Sequence, residues 1–290
     1  MYELLAPCVV QAEWYKGLSI TLMQNAVLQP VAFSSMIRRA NNDIQDILGV
    51  PENADSVDLN NALALGRMLP SAIQARAGKL MRDSRFQAWL QSPRSCVLAV
   101  NGMEHSGNHL CSALTYCIAL LRQALDQMQA NAIPSSFPRE SHSMPGDPLE
   151  GTTGVLRSLC VQVLLAVPDP NLLVLELLSR SKLKALEHFD LEALCELFRG
   201  LLILVSEKIG HFVFSAMIDE VPHLEQDGHI SQFRTALDFS FALNEEVQGG
   251  SVTLKILLAS QSANDVFDNG YGFSDIMMAI EGLDTLDVDY

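Results

Sequence analysis

The spacing of apolar positions along the chain changes once, near residue 92. Before that point apolar residues recur every three or four positions over Trp14–Leu28, Val31–Leu48 and Leu59–Leu69, which predicts helices punctuated by Pro30, Gly49-Val50-Pro51 and Pro70. Asp58 is the predicted cap of the third. Ser71–Leu90 reads as a fourth helix, ending at Ser92-Pro93. Beyond residue 92 the pattern becomes continuous apolar runs of strand length, Cys96–Asn101, Phe212–Ile218 and Val252–Ser260. These alternate with helical stretches at Leu110–Met128, Val155–Val167, Leu172–Leu186, Leu191–Ser206 and about 230–244. Ala132–Phe137 reads as a short or edge strand because of Pro134 and Pro138, and residues 138–153 read as a loop. Strands that are apolar throughout, instead of alternating, belong to sheets covered on both faces, which is the mark of parallel α/β architecture. The predicted fold is therefore α/β: a doubly wound, mostly parallel sheet over residues 92–290, preceded by a helical N-terminal segment over 1–91.

Charge and cysteine usage narrow the partners. Lys and Arg total 19 against 34 Asp and Glu, a net charge of −15, which disfavours nucleic acid and anionic membrane surfaces. The longest apolar runs are broken by charge before a membrane-spanning length, and the N-terminus carries no basic-then-apolar signal pattern. Six cysteines, Cys8, Cys96, Cys111, Cys117, Cys160 and Cys195, lie in apolar runs without CxxC or zinc-like spacing. They read as buried thiols of a protein in the cytoplasm.

Two stretches carry candidate chemistry. After the first strand, Gly102 and Gly107 stand at the spacing of the phosphate-binding motif GxxxxGK[ST], in which backbone N–H groups and a Lys hold phosphates and a hydroxyl holds magnesium. Asn108 occupies the Lys position and His109 the hydroxyl position. The alternative is an ordinary strand-to-helix corner followed by a first helical turn. The second stretch, Phe212–Ile218, ends in Asp219-Glu220, either a metal-handling acid pair or two solvated carboxylates at a strand end. His223 and His229 with Asp219, Glu225 and Asp227 lack the fixed helical spacing of a metal site, so none is expected. Neither a GxSxG elbow nor a Cys–His pair suggests a nucleophile.

Taken in order, the glycine loop, the acid-terminated strand and the run Lys255-Ile256-Leu257-Leu258-Ala259-Ser260-Gln261 resemble the loop, Walker B and sensor strands of P-loop NTPases, specifically the NACHT and related STAND ATPases. Arg85-Phe86-Gln87-Ala88-Trp89-Leu90, Asp147-Pro148-Leu149-Glu150-Gly151 and Leu156-Arg157-Ser158-Leu159 resemble segments of fungal STAND-like proteins. The resemblance spans roughly 84–262. It implies that Gly102, Gly107, Asn108, His109 and Ser260 mark the nucleotide side of a site, and Asp219 and Glu220 the catalytic positions. Asn108, His109 and Gln261 replace the family's Lys, hydroxyl and Arg. The expected function is thus a non-catalytic or very weakly nucleotide-binding STAND-like protein acting through a protein partner or self-association. No cofactor is expected beyond weak ATP or GTP with Mg. The alternative is an atypical ATPase or GTPase whose cation comes from Arg94, Arg139, Arg157 or a partner. Phe267, Tyr271, Phe273, Ile276, Met277, Met278 and Ile280 are spaced for a short helix that caps the core, and contacts with partners are expected from the N-terminal helices or residues 265–283.

Overall fold

The structure is a computed structural model that describes residues 44–51, 53–101, 111–127, 132–137, 147–166, 180–219, 230–247, 250–260 and 277–279. Five parallel strands, β1 (Cys96–Asn101), β2 (Ala132–Phe137), β3 (Phe212–Ile218), β4 (Val252–Ser260) and β5 (Met277–Ala279), form one sheet in the order β2-β3-β4-β1-β5. The helices are α1 (Ala54–Met68), α2 (Ser71–Arg82), α3 (Ser84–Gln91), α4 (Ala113–Gln127), α5 (Gly151–Ala166), α6 (Arg180–Glu187), α7 (Leu191–Ile209) and α8 (Ile230–Glu246). Residues 44–48 are also helical.

The all-apolar strands are buried on both sides, as their sequence requires. Along β4, Val252, Leu254, Ile256 and Leu258 face one core, with Val97 and Ala99 of β1 and Phe212, Phe214 and Ala216 of β3. That core is completed by α5, α7 and α8. The intervening Leu257 and Ala259 face the other core, with Leu98, Val100 and Met217, against α2, α3 and α4. Connection handedness explains this division. The path from β1 to β2 crosses the sheet in one direction and the return through β3 to β4 runs in the other, so right-handed crossovers place α4 on one face and α5, α7 and α8 on the opposite one.

Helices α1, α2 and α3 belong to the α4 layer, whereas Ile44, Leu48 and Val50 pack in the opposite core. Phe86 and Trp89 of α3, 1% and 5% exposed, pack in the same cluster as Leu98 and Leu257. Lys255, in the middle of β4, reaches from the sheet to the end of that helix, where its Nζ donates to the carbonyls of Trp89 at 2.8 Å and Leu90 at 2.5 Å. A helix C-terminus leaves carbonyls without intrahelical donors, and an ammonium group satisfies them well. Burial depresses the Lys255 pKa, with Cys96 acting weakly in the other direction. On α1, Gly66 lets the helix lie against the Tyr116 ring, since a Cβ there would stand 1.9 Å from Tyr116 Cδ2. Arg122 of α4 joins the same contact, pairing with Asp55 of α1 at 2.8 Å and with Asp126.

Several boundaries differ from the sequence reading. The stretch 71–90 is two helices, because the Asp83 side chain accepts the Arg85 N–H at 2.8 Å and starts α3 afresh. Helix α1 begins at Ala54, four residues before Asp58, so Asp58 is a buried interior residue and not a cap. The 265–283 stretch was expected to hold a short helix; its described residues, Met277–Ala279, instead extend the sheet as β5 beside β1. Three apolar residues are too few for spacing to separate strand from helix, and the free edge of β1 decides between them. Of Leu172–Leu186, the described part is helical from Arg180. The helices expected within residues 1–43 lie outside the described residues.

Candidate functional site

In an open parallel sheet, ligands bind beyond the carboxyl ends of the strands, where the connections part to opposite faces. Here that place is the carboxyl end of β1, β4 and β3. The register sets Asn101, the last residue of β1, beside Ser260, the last of β4. Ile218 pairs with Leu258, so Asp219 follows directly at the end of β3. Asn101, Ser260 and Asp219 are 5%, 0% and 1% exposed. The three strands named in the sequence as loop, acid and sensor strands are therefore contiguous and parallel, and their polar ends lie along one edge.

The first turn of α4 closes over that edge. Ser112 precedes the helix, and its Oγ accepts the Thr115 N–H at 2.9 Å while its carbonyl accepts the Tyr116 N–H at 3.0 Å, which is N-capping by a serine. Thr115 Oγ1 lies 2.5 Å from Asp219 Oδ2 and 2.9 Å from Ser112 Oγ. A carboxylate only accepts, so Thr115 donates to Asp219 and Ser112 in turn donates to Thr115. The result is a directed chain, Ser112 to Thr115 to Asp219, with all three residues at most 3% exposed. One turn further on, Cys117 is pushed up to about 12, first by burial and then by the charge of Asp219. It is held as a thiol and is no nucleophile.

Asp219 is thus placed by the structure at the predicted edge together with Ser260, whereas Gly102, Gly107, Asn108, His109 and Glu220 lie outside the described residues, as do His223, Glu225, Asp227 and His229. Among the described residues no group of three or more His, Cys, Asp or Glu is arranged to hold a metal ion, and no helix is long and apolar enough to cross a membrane. Thr115, Ser112 and Asn101 were not singled out from the sequence. The available signal was Ser112-x-x-Thr115 immediately before an apolar helical run, a start signature whose second hydroxyl falls on the buried face.

The cations proposed as substitutes for the missing Lys are otherwise placed. Arg157 is 2% exposed; its Nη1 donates to the Leu48 carbonyl at 2.9 Å, its Nη2 donates to the Pro148 carbonyl, and its guanidinium lies 3.8 Å from the centroid of the Phe189 ring. Burial lowers its pKa. It fastens the Asp147-Pro148-Leu149 turn, in which Asp147 Oδ1 accepts the Leu149 N–H at 2.7 Å. That turn lies so close to α5 that a Cβ on Gly154 would be 1.9 Å from the Leu149 carbonyl oxygen. The Asp147–Arg157 segment is a structural clasp. Arg94 precedes β1 and so stands at the amino end of the sheet, opposite Asp219. Arg139 lies outside the described residues.

Compared with known proteins, the chain matches no family model, no curated protein and no solved structure.

Proposed function

We propose that this chain is a P-loop-NTPase-like α/β protein of the STAND type that does not hydrolyse nucleotide and acts through association with protein. The observation that carries the reading is the direct Thr115–Asp219 hydrogen bond at 2.5 Å. In P-loop NTPases the loop hydroxyl and the acid at the end of the neighbouring strand hold magnesium between them. Here a hydroxyl on the first turn of α4 and the acid after β3 contact each other directly, so the carboxylate is satisfied by a protein donor. The substitution of Lys and hydroxyl by Asn108 and His109 supports the same conclusion, as does the contiguity of β3, β4 and β1. The alternative, an atypical ATPase or GTPase with a borrowed cation, has less support because Arg157 is engaged in the clasp and Arg94 stands at the far end of the sheet.

Association is supported by α1, where Val57, Asn61, Ala64 and Met68 recur at helical spacing on one exposed stripe, Met68 being 82% exposed. Among the described residues nothing covers the apolar members of this stripe, Val57, Ala64 and Met68, and such surface suits contact with another protein. The test is a phosphate-release assay with Mg-ATP and Mg-GTP, together with a nucleotide titration read by thermal shift. We expect no turnover above background. Asn108→Lys with His109→Ser should raise nucleotide affinity by about one to two decades, the worth of a charge-assisted contact of roughly 1.5–3 kcal/mol. Turnover that vanishes on Asp219→Asn or Glu220→Gln would overturn the non-catalytic reading. A monodisperse monomer in light scattering with no partner recovered would overturn the associative one.

A further inference from the structure

At the opposite end of the sheet, the starts of β1, β3 and β4 border an open cleft of 390 Å³ lined by Arg94, Ser95, His211, Gly250 and Thr253, with no acidic residue in its lining. We propose that this cleft binds the phosphate group of a small anionic ligand, at a site separate from the Asp219 edge. The argument begins with charge. In a chain of net charge −15 the average field repels anions, so an anion can settle only where cationic donors converge without carboxylates beside them. Arg94 and His211 are both exposed, and both border this one cleft.

Geometry then selects the class of anion. Arg94 offers a planar fork of N–H donors suited to two oxygens of one oxyanion. Its backbone is fixed by the Ser92 side chain, whose Oγ accepts the Arg94 N–H at 3.2 Å and donates to the Arg94 carbonyl at 3.1 Å. The His211 ring is held within the lining, with Nε2 3.2 Å from Thr253 Oγ1. Ser95 Oγ accepts the Leu254 N–H at 2.9 Å, which ties the floor of the cleft to the sheet. Arg94 and His211 come from different segments of the lining, one before β1 and one before β3, and a tetrahedral oxyanion, whose oxygens point in several directions, can meet donors from both. Gly250 borders the cleft where the chain lies close, since a Cβ there would stand 3.2 Å from the Val247 carbonyl oxygen. The cleft volume leaves room for an organic remainder beside the phosphate.

The test is an NMR titration of the full chain at constant ionic strength, with inorganic phosphate in one arm and glycerol phosphate in the other. We expect saturable shifts at the amides of residues 94, 95, 211 and 250–253, with Kd on the order of 1–10 mM for inorganic phosphate. Arg94→Gln should weaken binding by about tenfold, the loss of one charged contact, and His211→Gln by less, the loss of one hydrogen bond, while an unchanged melting temperature shows the fold intact. Arg85→Gln, an exposed arginine elsewhere, should leave the affinity unchanged. Tighter binding of glycerol phosphate identifies esters as the ligands, and equal binding identifies free phosphate. Linear shifts without saturation, saturable shifts confined to other residues, or an Arg94→Gln affinity equal to that of the unaltered chain would overturn the proposal. So would an equal loss in Arg85→Gln.

Discussion

Replacing Thr115 by Val tests the contact on which the functional reading rests. Valine keeps the volume and branching of threonine and removes only the hydroxyl, so the packing of α4 against the sheet is preserved. What is lost is a hydrogen bond to a carboxylate that is 1% exposed, worth roughly 1.5–3 kcal/mol. Ser112 also loses an acceptor at 2.9 Å but keeps the N–H of residue 115. The methyl group that replaces the hydroxyl returns about 0.8 kcal/mol by burial. The net cost should be about 2 kcal/mol, a fall in melting temperature of about 4–8 °C for a chain of this size. Urea denaturation of Thr115→Val, Asp219→Asn and the double variant gives the coupling directly. The double variant should cost less than the two single variants together by about 1 kcal/mol or more. Additive costs, or a Thr115→Val stability within about 0.5 kcal/mol of the parent, would mean that the hydroxyl and the carboxylate do not support each other in solution. The non-catalytic reading would then lose its main support.

Lys255→Met should destabilise the chain by about 2 kcal/mol in urea, because the Trp89 and Leu90 carbonyls lose their donor at a buried helix end; a variant as stable as the parent would refute the role given to the ammonium. Gly154→Ala should cost about 1–3 kcal/mol, the usual range for overpacking, since the new Cβ meets a backbone carbonyl and not a flexible side chain; an unchanged melting temperature would count against the clasp. Alkaline titration should reveal the buried thiols. Cys117 and Cys195 are both pushed up to about 12 from 9.0, by burial before any charge, so the folded chain holds protons that the unfolded chain releases. Stability is therefore complete below pH 9 and falls as pH rises from 9 toward 12. Asp219→Asn, by removing the second cause of the Cys117 shift, should shrink the Cys117 part of this loss while leaving its onset near pH 9, and denaturation curves flat over that window would refute the assignment.

The layering of the sheet was readable because the strands announce themselves twice. Phe212–Ile218 and Val252–Ser260 have no polar alternation, which demands cover on both faces, and each is too short for a buried helix of ordinary length. Their order in the sheet could not be read from the same pattern. Apolar runs specify burial but not neighbours, and β4 falls between β1 and β3 through long connections that pay no local sequence signature. Helix breaks were harder still. Ser71–Gln91 keeps one helical period throughout, and only the local cap of Asp83, whose side chain accepts the Arg85 N–H, divides it.

The candidate site shows a sharper version of the same limit. A motif search weighs residues at fixed offsets from a glycine, so it directs attention to Asn108 and His109, where the lysine and hydroxyl of a working loop would stand. The side chain that meets Asp219 is Thr115, further along and already inside α4. Its role depends on a tertiary contact spanning more than a hundred residues, for which no local spacing exists. Once Thr115 donates directly to Asp219, a buried carboxylate beside a helix N-terminus is satisfied by a protein donor, and the contact forms a joint between α4 and the sheet. If the edge is of the P-loop type proposed above, this contact competes with a cation for the carboxylate. On this argument, restoring Lys and Ser at 108 and 109 should gain more nucleotide affinity in a Thr115→Val background than in the parent, because the carboxylate is freed for a cation. Equal gains in both backgrounds, read by the same thermal-shift titration, would show that the joint and the loop are independent.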